Sequence, residues 1–480
     1  MRSCRPMGKG VLCAALACCF FLAFVGCSAA APERPNLLFI LTDDHRFDAL
    51  SLYDTFPWLQ TPNLDALAAE GVLFENAFVT TSLCSPSRAS FLTGAYINRH
   101  GVLVNEYVDP APELPIFPKL LHEAGYETAY IGKWHMAPTD APREGFDHWV
   151  SFRGQGHYFN CPLNVNGVAE VSQKYITDEL TDRALEFLGR KRDKPFALYL
   201  SHKAVHGPFE PPPRHADLYA DQEFPYFDNP NDNLAAKPAW LRQEAEARRQ
   251  GQPVAKPGNP KRMMDMLRCL SAVDEGVGRI IAELRKQGVL DKTAIVYAGD
   301  NGYFYGEHGG QGDKRKAYEP SMRIPLLMRY PPLVKAGARE DAMVLNIDLA
   351  PTFLELAGAP VPATIQGRSW LGVLRGEDPG RDSFFYEYYQ ETRYRPEGGY
   401  GSTPTMLGVR SRDWKYITYP ELEGEIDELY NLAQDPEELN NLAPDPAHAA
   451  DLARMKELLE KHKAEIGYRA PEPVERVAGE

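Results

Sequence analysis

Residues 36–44 read Asn-Leu-Leu-Phe-Ile-Leu-Thr-Asp-Asp, an apolar run that ends in two carboxylates. A continuous apolar run of this length is typical of a strand buried on both faces of a parallel sheet. Four further runs lie at Glu127–Ile131, Phe196–Ser201, Thr293–Ala298 and Pro325–Arg329. Helical patterns separate them, so the sequence predicts an α/β domain with a central, mostly parallel mixed sheet flanked by helices.

The intervening helical patterns are amphipathic. Asn63–Glu70 follows Thr61-Pro62, a predicted cap with a first-turn proline, and both Thr177–Leu188 and Met263–Gln287 carry apolar residues three and four apart. Residues 207–262 lack such periodicity and are rich in proline. They predict a long loop, which either serves a site or forms a solvated excursion.

The composition turns polar at Leu374–Arg381, which we interpret as a domain boundary. Beyond it, the strand-like runs Phe384–Tyr389 and Val409–Tyr419 precede a helical pattern at Ala447–Ile466 with its apolar residues on one side. This predicts a smaller C-terminal α+β domain with an antiparallel sheet and a helix. The expected division is a leader over 1–26, a large domain over 33–376 and the C-terminal subdomain over 377–480.

The first 26 residues have the pattern of a signal peptide. Three basic residues precede the apolar run Val11–Val25, which is too short to span a bilayer comfortably. Residues 24–28, Phe-Val-Gly-Cys-Ser, resemble a bacterial lipobox, in which Cys27 would carry a lipid anchor. The alternative is a plain secretory peptide cut near Ala29–Ala31. We therefore expect export, either to the periplasm, to the outer membrane as a lipoprotein, or to the medium.

Charge and cysteine content exclude two classes of protein. The net charge is −14, and loss of the three positive charges of the leader brings the mature chain near −17 without any block of like charge, which argues against a nucleic-acid partner. Four of the eight cysteines lie in the leader, and beyond Cys27 only Cys84, Cys161 and Cys269 remain. At most one disulfide could form, so a disulfide scaffold is excluded and one odd cysteine is left.

Charged and imidazole side chains follow four of the predicted strands directly: Asp43 and Asp44 after the first, Lys133 and His135 after the second, His202 and His206 after the third, and Asp300 and Asn301 after the fourth. Ligands of α/β sheets bind beyond the carboxyl ends of the strands, and parallel strands end at one edge. A single pair would indicate only a capped turn. Four pairs together predict a site.

The oxygen donors in this set predict a place for a hard divalent cation. Asp43, Asp44, Asp300 and Asn301 offer carboxylate and amide oxygens without an accompanying cysteine–histidine set, which favours Ca²⁺ or Mg²⁺ over zinc. Three crowded carboxylates also require a cation, because their mutual repulsion would otherwise raise their pKa values.

The odd cysteine begins the segment Cys84–Gly94, Cys-Ser-Pro-Ser-Arg-Ala-Ser-Phe-Leu-Thr-Gly. It resembles the first signature of the formylglycine-dependent (type I) sulfatase family, C-x-P-S-R-x4-T-G, and Gly125–His135 resembles the second. The resemblance runs roughly from Arg34 to the C-terminal helix and includes carbohydrate sulfatases, such as N-acetylglucosamine-6-sulfatase-like and arylsulfatase-like enzymes. It implies an alkaline-phosphatase-like fold, and a sulfuric ester hydrolase in which a maturation enzyme converts Cys84 into formylglycine (3-oxoalanine).

The implied chemistry follows from the hydrated aldehyde, which carries two hydroxyl groups on one carbon. One hydroxyl, held against a divalent cation, becomes acidic enough to attack sulfur near neutral pH. Loss of the proton from the second hydroxyl then re-forms the aldehyde and expels sulfate. A serine at position 84 would lack the second hydroxyl, so turnover would stop after one round.

The resemblance also implies roles for individual side chains. Modified Cys84 completes a cation site, for Ca²⁺ in preference to Mg²⁺, with Asp43, Asp44, Asp300 and Asn301. Arg88 and Lys133 hold the hydrate and neutralise sulfate oxygens. His135 is the base for the second hydroxyl, while His206 and Lys314, with Lys133, bind the substrate's sulfate and assist the leaving oxygen.

The segment around Lys314 contains a second candidate lysine, and part of it differs from the pattern of the family that it resembles. Lys314 is favoured over Lys316 by its spacing to a following Tyr-Glu pair. Before it, Gly306–Gly309 (Gly-Glu-His-Gly) places His308 either against the substrate or against nearby backbone. Gly310–Gly312 replaces the bulkier residues of many relatives, so we expect a more open or flexible pocket wall.

Two other sets of residues have a functional and a structural interpretation. His202 and Lys203 follow the third strand, and Lys203 is expected to reach solvent. The run from Tyr386 to Arg395, with the Gly-rich turn Glu397–Gly401, would stack on a sugar, although its first tyrosines fit a core strand better.

The leading functional prediction is hydrolysis of a sulfate ester on a sugar or glycan fragment, with a sulfated carbohydrate and a maturation enzyme as partners. One alternative is phosphodiester or phosphonate monoester hydrolysis, which can use the same formylglycine. An alternative of another class is a non-catalytic glycan-binding lipoprotein. The complete sets of ligands, base and nucleophile argue against the latter, because a decayed enzyme would have lost at least one.

Overall fold

The computed structural model describes residues 34–105, 108–225, 227–250, 259–394 and 403–472. The predicted leader with Cys27, Arg395 and the predicted turn Glu397–Gly401 lie outside the described residues. The strands, numbered along the chain, are β1 (Asn36–Thr42), β2 (Val72–Phe74), β3 (Ala77–Phe78), β4 (Glu127–Lys133), β5 (His148–Phe152), β6 (Pro162–Val165), β7 (Val168–Val171), β8 (Phe196–Ser201), β9 (Thr293–Gly299), β10 (Phe304–Tyr305), β11 (Gly312–Asp313), β12 (Leu326–Arg329), β13 (Ala338–Glu340), β14 (Val344–Leu345), β15 (Ser383–Tyr388), β16 (Met406–Ser411), β17 (Trp414–Thr418) and β18 (Glu428–Asn431).

The helices are numbered in the same way. They are α1 (Pro62–Ala69), α2 (Cys84–Thr93), α3 (Ile97–His100), α4 (Phe117–Glu123), α5 (Ile176–Leu188), α6 (Ala239–Arg249), α7 (Pro260–Lys286), α8 (Glu307–Gly310), α9 (Glu319–Met322), α10 (Leu349–Leu356), α11 (Leu371–Leu374), α12 (Glu391–Tyr394) and α13 (Ala449–Glu465). Among the described residues, no helix combines the length and apolarity that crossing a membrane requires.

The large mixed sheet has ten strands in the order β13-β2-β12-β9-β1-β8-β4-β5-β6-β7. Its centre is parallel, since β1 pairs with β8 and β9, and β4 pairs with β8 and β5, all in parallel register. The flanks include antiparallel pairs, such as β12 with β9 and β5 with β6. The predicted mixed sheet with a parallel centre is confirmed.

The surroundings of β1 explain why the run that forms it, quoted at the start, is apolar. Leu38 and Ile40 pack into the core that contains α5 and α7, while Leu37, Phe39 and Leu41 pack into the core that contains α2, α4 and α10. A strand covered by helices on both faces has no solvent side and therefore does not alternate between polar and apolar residues.

The C-terminal part forms the predicted antiparallel sheet, in the order β15-β16-β17-β18, and α13 packs on it through Met455 and Leu459. The predicted run Val409–Tyr419 contains a turn, so it belongs to the hairpin of β16 and β17 rather than to one strand. Tyr386 and Tyr388 are buried in β15, which confirms their assignment to the core.

From Arg34 onward the chain forms one compact unit. Within it, the ring of Phe78 lies against the ring of Phe384 in β15, with centroids 5.2 Å apart. The domain boundary at residue 376 stays a prediction.

Of two local predictions, one is confirmed in its positions and the other is wrong. Thr61 stands at the N-cap position of α1 and Pro62 in its first turn, as predicted, although the Thr61 hydroxyl donates to Asp65 at 3.1 Å and makes no capping hydrogen bond with the helix backbone. Residues 207–262 are not a loop throughout, because α6 and the start of α7 lie among them. Leu241 and Ala245, four residues apart, bury one face of α6, a periodicity that the prolines around it obscured.

Candidate active site

The adjacent parallel strands β9, β1, β8 and β4 end at one edge of the large sheet. The segments beyond them, together with α2 and the segment before α9, bring together Asp43, Asp44, Cys84, Arg88, Lys133, His206, Asp300, Asn301 and Lys314, and His135 lies close by. Because the strands share one direction, residues far apart in the sequence become neighbours.

Cys84 is the first residue of α2, is fully buried, and lies between a carboxylate and an ammonium group. Its Sγ donates to Asp43 Oδ1 at 3.2 Å and accepts from Lys314 Nζ at 2.9 Å. Burial, together with the Asp43 carboxylate, raises the pKa of the thiol well above its ordinary value. An unmodified cysteine here is therefore a protonated thiol and a weak nucleophile.

Three carboxylates crowd around position 84. The ligand atoms of Asp43, Asp44, Cys84 and Asp300 all lie within 4.8 Å of one another. Burial and the Asp43 carboxylate raise the pKa of Asp300 to about 7. Burial also opposes ionisation of Asp43, but the ammonium group of Lys133 holds the pKa of Asp43 well below its usual range. The protein's own cations thus compensate these carboxylates unequally.

Asn301 supports the presence of a cation at this place. Its Nδ2 donates to Asp44 Oδ1 at 2.7 Å, while its Oδ1 is buried and accepts no hydrogen bond from any described residue. A buried acceptor without a donor is costly, and a cation ligated by that oxygen would satisfy it. With three carboxylates beside the amide oxygen, the donor set fits Ca²⁺ or Mg²⁺.

Arg88 is buried and contacts two carboxylates of the cluster. Its Nε donates to Asp300 Oδ2 at 2.9 Å, and one terminal nitrogen donates to Ser201 Oγ at 2.6 Å and to the Lys133 carbonyl oxygen at 2.7 Å. Its other terminal nitrogen lies 3.5 Å from Asp43 Oδ2. The guanidinium group therefore fixes two carboxylates in place and offsets their charge.

Two ammonium groups face the same space. Lys133 Nζ contacts Asp43 and lies 2.5 Å from Gln155 Oε1, and Lys314 Nζ contacts Asp44. Burial disfavours the charged form of Lys314, yet the Asp44 carboxylate raises its pKa well above the usual value. Each of these ammonium groups is thus paired with one carboxylate of the cluster.

Burial lowers the pKa values of both His135 and His206 well below the usual value. His135 Nδ1 lies 3.1 Å from Ser85 Oγ. His206 Nδ1 lies 2.6 Å from the Gly207 carbonyl oxygen, and its Nε2 lies 3.8 Å from Asp44 Oδ2. One nitrogen of the His206 ring is thus engaged by the protein and the other faces the cluster.

The other predicted histidines have different surroundings. His308 Nδ1 lies 2.8 Å from Asp232 Oδ2, and its ring lies on Tyr318 with centroids 4.4 Å apart. It thus contacts a side chain rather than the nearby backbone, and substrate contact stays a prediction. His202 is buried, and neither of its ring nitrogens has a hydrogen-bond partner within the described part of the chain.

Three residues near the site were not predicted. Ser85, Gln155 and Tyr158 contact, respectively, the ring of His135, the ammonium of Lys133 and the carbonyl oxygen of His206. Ser85 lies within the first signature, but at a position that the signature leaves unspecified. Gln155 and Tyr158 lie in the loop between β5 and β6, which no sequence pattern connects to the strand ends.

The prediction that Lys203 reaches solvent is wrong. Its side chain is fully buried and its Nζ donates to the Gly207 carbonyl oxygen at 3.3 Å. The ammonium group also lies 4.7 Å from the ring centre of Tyr158. The Gly207 carbonyl oxygen and the Tyr158 ring therefore contact the amine in place of water.

Comparison with protein families gives two matches. A family model described as "Sulfatase" matches residues 35–359, and one described as "N-sulphoglucosamine sulphohydrolase, C-terminal" matches residues 306–465. Among curated proteins, the N-acetylglucosamine-6-O-sulfatase of Bacteroides thetaiotaomicron is 33% identical, over 93% of this chain and 89% of that protein.

Two solved structures are also similar. A protein in complex with its substrate D-glucosamine-2-N,6-O-disulfate has a TM-score of 0.80 and 32% identity, over 91% of this chain and 98% of that one. The phosphonate monoester hydrolase of Agrobacterium radiobacter has a TM-score of 0.74 and 22% identity, over 90% of this chain and 96% of that one. The second likeness shows the fold alone.

Proposed function

The chain belongs to the sulfatase family and is a sulfuric ester hydrolase with an alkaline-phosphatase-like fold, and on this premise we propose that it hydrolyses sulfate esters of a sugar with a formylglycine at position 84. The observation that carries the proposal is the place of Cys84, which begins α2 between Asp43 and Lys314. Membership of an enzyme family argues against the alternative of a non-catalytic glycan-binding protein.

The proposed substrate is glucosamine, free or N-substituted, that carries sulfate on O6. The relative named N-acetylglucosamine-6-O-sulfatase and the structure solved with D-glucosamine-2-N,6-O-disulfate both support it, since each aligns over about nine-tenths of this chain.

Asp43, Asp44, Asp300 and Asn301 would hold Ca²⁺, in preference to Mg²⁺, and with it a formylglycine at position 84 would supply an acidic hydroxyl as nucleophile and a second hydroxyl for release of sulfate. Lys133 and Lys314 bind the sulfate oxygens, whose negative charge they offset in a buried setting where such attraction is strong. Arg88 keeps Asp43 and Asp300 in place.

Proton transfer falls to the two histidines. His206 presents Nε2 to the cluster and gives a proton to the leaving sugar oxygen, which as an alkoxide is a poor leaving group. His135 accepts the proton whose loss allows sulfate to depart, and Ser85 orients its ring.

The experiment that tests this function is a substrate panel for protein produced with a maturation enzyme. Sulfate release is measured from glucosamine 6-sulfate, N-acetylglucosamine 6-sulfate, glucosamine 2-N,6-O-disulfate, galactose 6-sulfate and a 2-O-sulfated uronate. We expect the glucosamine 6-sulfates to react fastest. Activity confined to simple aryl or choline sulfates would contradict the proposal.

Phosphonate monoester hydrolysis is the second candidate, supported by fold likeness alone. Rates on 4-nitrophenyl sulfate and on a 4-nitrophenyl phosphonate separate the two, because the leaving group is identical. We expect the sulfate to be hydrolysed faster, and faster phosphonate turnover would reverse the order of the candidates.

We also propose that the chain is exported and that its partners are a sulfated carbohydrate and a maturation enzyme. Export and a lipid anchor at Cys27 rest on the leader sequence. Fractionation of the producing cells, with a Cys27→Ala variant as control, tests both, because only the anchor depends on this thiol.

A further inference from the structure

The turn that carries His206 is held by two buried side chains. Tyr158 donates its hydroxyl to the His206 carbonyl oxygen at 2.8 Å, and Lys203 donates to the Gly207 carbonyl oxygen at 3.3 Å. The Lys203 ammonium lies 4.7 Å from the centre of the Tyr158 ring, so the two side chains also hold each other. Both are fully buried, so they act from behind the site.

The same turn decides which nitrogen of the His206 ring faces the site. Its Nδ1 lies 2.6 Å from the Gly207 carbonyl oxygen, and a carbonyl oxygen only accepts, so Nδ1 carries a hydrogen. Nε2 is therefore the nitrogen that faces Asp44. The Gly207 carbonyl, shared with Lys203, fixes both the ring orientation and the place of one proton.

Tyr158 is itself well anchored. Its ring stacks on that of Tyr175, with centroids 5.5 Å apart and an interplanar angle of 11°, and its carbonyl oxygen accepts from the Ile176 amide at the start of α5 at 2.9 Å. A proton donor acts only within hydrogen-bond reach of the leaving oxygen, so a rigid support has a direct chemical consequence.

We propose that Tyr158 and Lys203 are positioning residues that hold the His206–Gly207 turn, so that His206 presents Nε2 to the leaving oxygen of the ester. The inference rests on the proposed function. The step requires the form of the His206 ring that carries hydrogen on both nitrogens. When the sulfur–oxygen bond breaks, its electron pair goes to the sugar oxygen and the Nε2 proton passes to that oxygen. The ring is left neutral with its hydrogen on Nδ1, which is the form that the Gly207 carbonyl stabilises.

A double-mutant cycle between Tyr158→Phe and His206→Ala tests the proposal. General acid catalysis is worth about 10² to 10⁴-fold, mainly for poor leaving groups. We expect Tyr158→Phe to lower kcat on glucosamine 6-sulfate by about tenfold, and kcat on 4-nitrophenyl sulfate by less than about twofold. The double variant should be no slower than His206→Ala alone, because Tyr158 acts through His206.

The matched control is Tyr175→Phe, which removes a hydroxyl from the ring that stacks on Tyr158. It should leave the ratio of the two rates as in the unmodified chain. Equal losses on both substrates for Tyr158→Phe, or losses that multiply with those of His206→Ala, would overturn the proposal. If His206→Ala lowers kcat equally on the two substrates, the proposed role of His206 as proton donor is wrong. The cycle still reports whether Tyr158 and His206 are coupled.

Two further measurements keep the inference testable if Tyr158→Phe does not fold or no substrate reacts. Lys203→Met keeps the length of the side chain but removes the donor to Gly207, and it should show the same selectivity toward the poor leaving group. In protein labelled with ¹⁵N-histidine, the resonances lost in His206→Ala should report a protonated Nδ1. Their unchanged positions in both Tyr158→Phe and Lys203→Met would exclude positioning by these residues.

Discussion

Lys314 Nζ lies 2.9 Å from Cys84 Sγ, and the same ammonium group contacts Asp44. Lys316, two residues further on, is also buried, but its Nζ lies 3.5 Å from Glu244 Oε2 and 5.7 Å from the ring centre of Trp240. Two lysines of one segment therefore have different surroundings, and only Lys314 contacts the residue at position 84.

This difference allows a matched comparison of Lys314→Met and Lys316→Met. The first removes a cation that offsets sulfate charge, so we expect kcat/KM to fall by about 10² to 10³-fold. The second should change kcat/KM by less than about threefold, with any effect confined to thermal stability. Steady-state kinetics on one sulfate ester checks both, and similar losses for the two variants would show that the segment, rather than Lys314, matters.

Cys84→Ser should convert the enzyme into a single-turnover reagent. A serine hydroxyl can accept sulfate from the substrate but has no second hydroxyl whose deprotonation releases it. We expect a burst of at most one equivalent of leaving group, and a protein mass raised by one sulfate group. Cys84→Ala should give neither. Continued turnover by the serine variant would contradict the need for two hydroxyl groups at this position.

Removal of divalent cations should abolish activity and lower the melting temperature, and Ca²⁺ should restore both better than Mg²⁺. A cation at a hundred times its dissociation constant stabilises the folded chain by about 2.7 kcal/mol. Asp300→Asn should weaken the response to Ca²⁺, since it removes a charged oxygen from the cluster. Calorimetry of chelated and reloaded protein measures the shift.

The control for this experiment is Asp274→Asn. Asp274 is a buried carboxylate that accepts hydrogen bonds from the backbone amides of Asn63 and Leu64 at the start of α1, away from position 84. The variant should lower the melting temperature while keeping the response to Ca²⁺. If both variants lost the shift in melting temperature on addition of Ca²⁺, that shift would not report on the cluster around position 84.

Glu387 should make the protein less stable as pH rises through neutrality. It is buried in β15, where it accepts from Tyr389 at 2.6 Å, and burial raises its pKa from 4.5 to about 7. Because the folded value exceeds the unfolded one, its contribution is fully present below pH about 4.5 and is lost as the pH passes 7. Between pH 5 and 8 we expect the free energy of unfolding to fall by about 2–3 kcal/mol more than in Glu387→Gln.

Urea unfolding at pH 5, 6, 7 and 8 measures this dependence. Glu457→Gln, an exposed position on α13, serves as the control and should retain the slope of the unmodified chain. Equal slopes for the unmodified chain and Glu387→Gln would show that Glu387 does not titrate in this range.

Much of the site could be predicted because its groups stand next to strands. The run of β1 leads directly into Asp43 and Asp44, and β9 into Asp300, so the parallel centre of the sheet implies that they meet. The signature beginning at Cys84 added the reactive position. These features are local in the sequence and can therefore be predicted from it alone.

The rest depends on contacts that local patterns do not encode. Gln155 and Tyr158 reach Lys133 and His206 only because the loop between β5 and β6 folds beneath the strand ends. Lys203 was expected in solvent because a lysine in a loop is usually exposed. Its burial follows from the tight turn at residues 203–207, which brings its amine over the ring of Tyr158.

The central claim is that position 84 is a formylglycine, and the mass of one peptide tests it most directly. Trypsin releases residues 47–88 as a single peptide that contains one cysteine, Cys84. In protein from a host with a maturation enzyme, we expect the mass in which an aldehyde oxygen replaces the thiol, together with sulfate release in proportion to that fraction. Full activity of protein whose peptide carries only the unmodified thiol would show that position 84 does not act as a formylglycine.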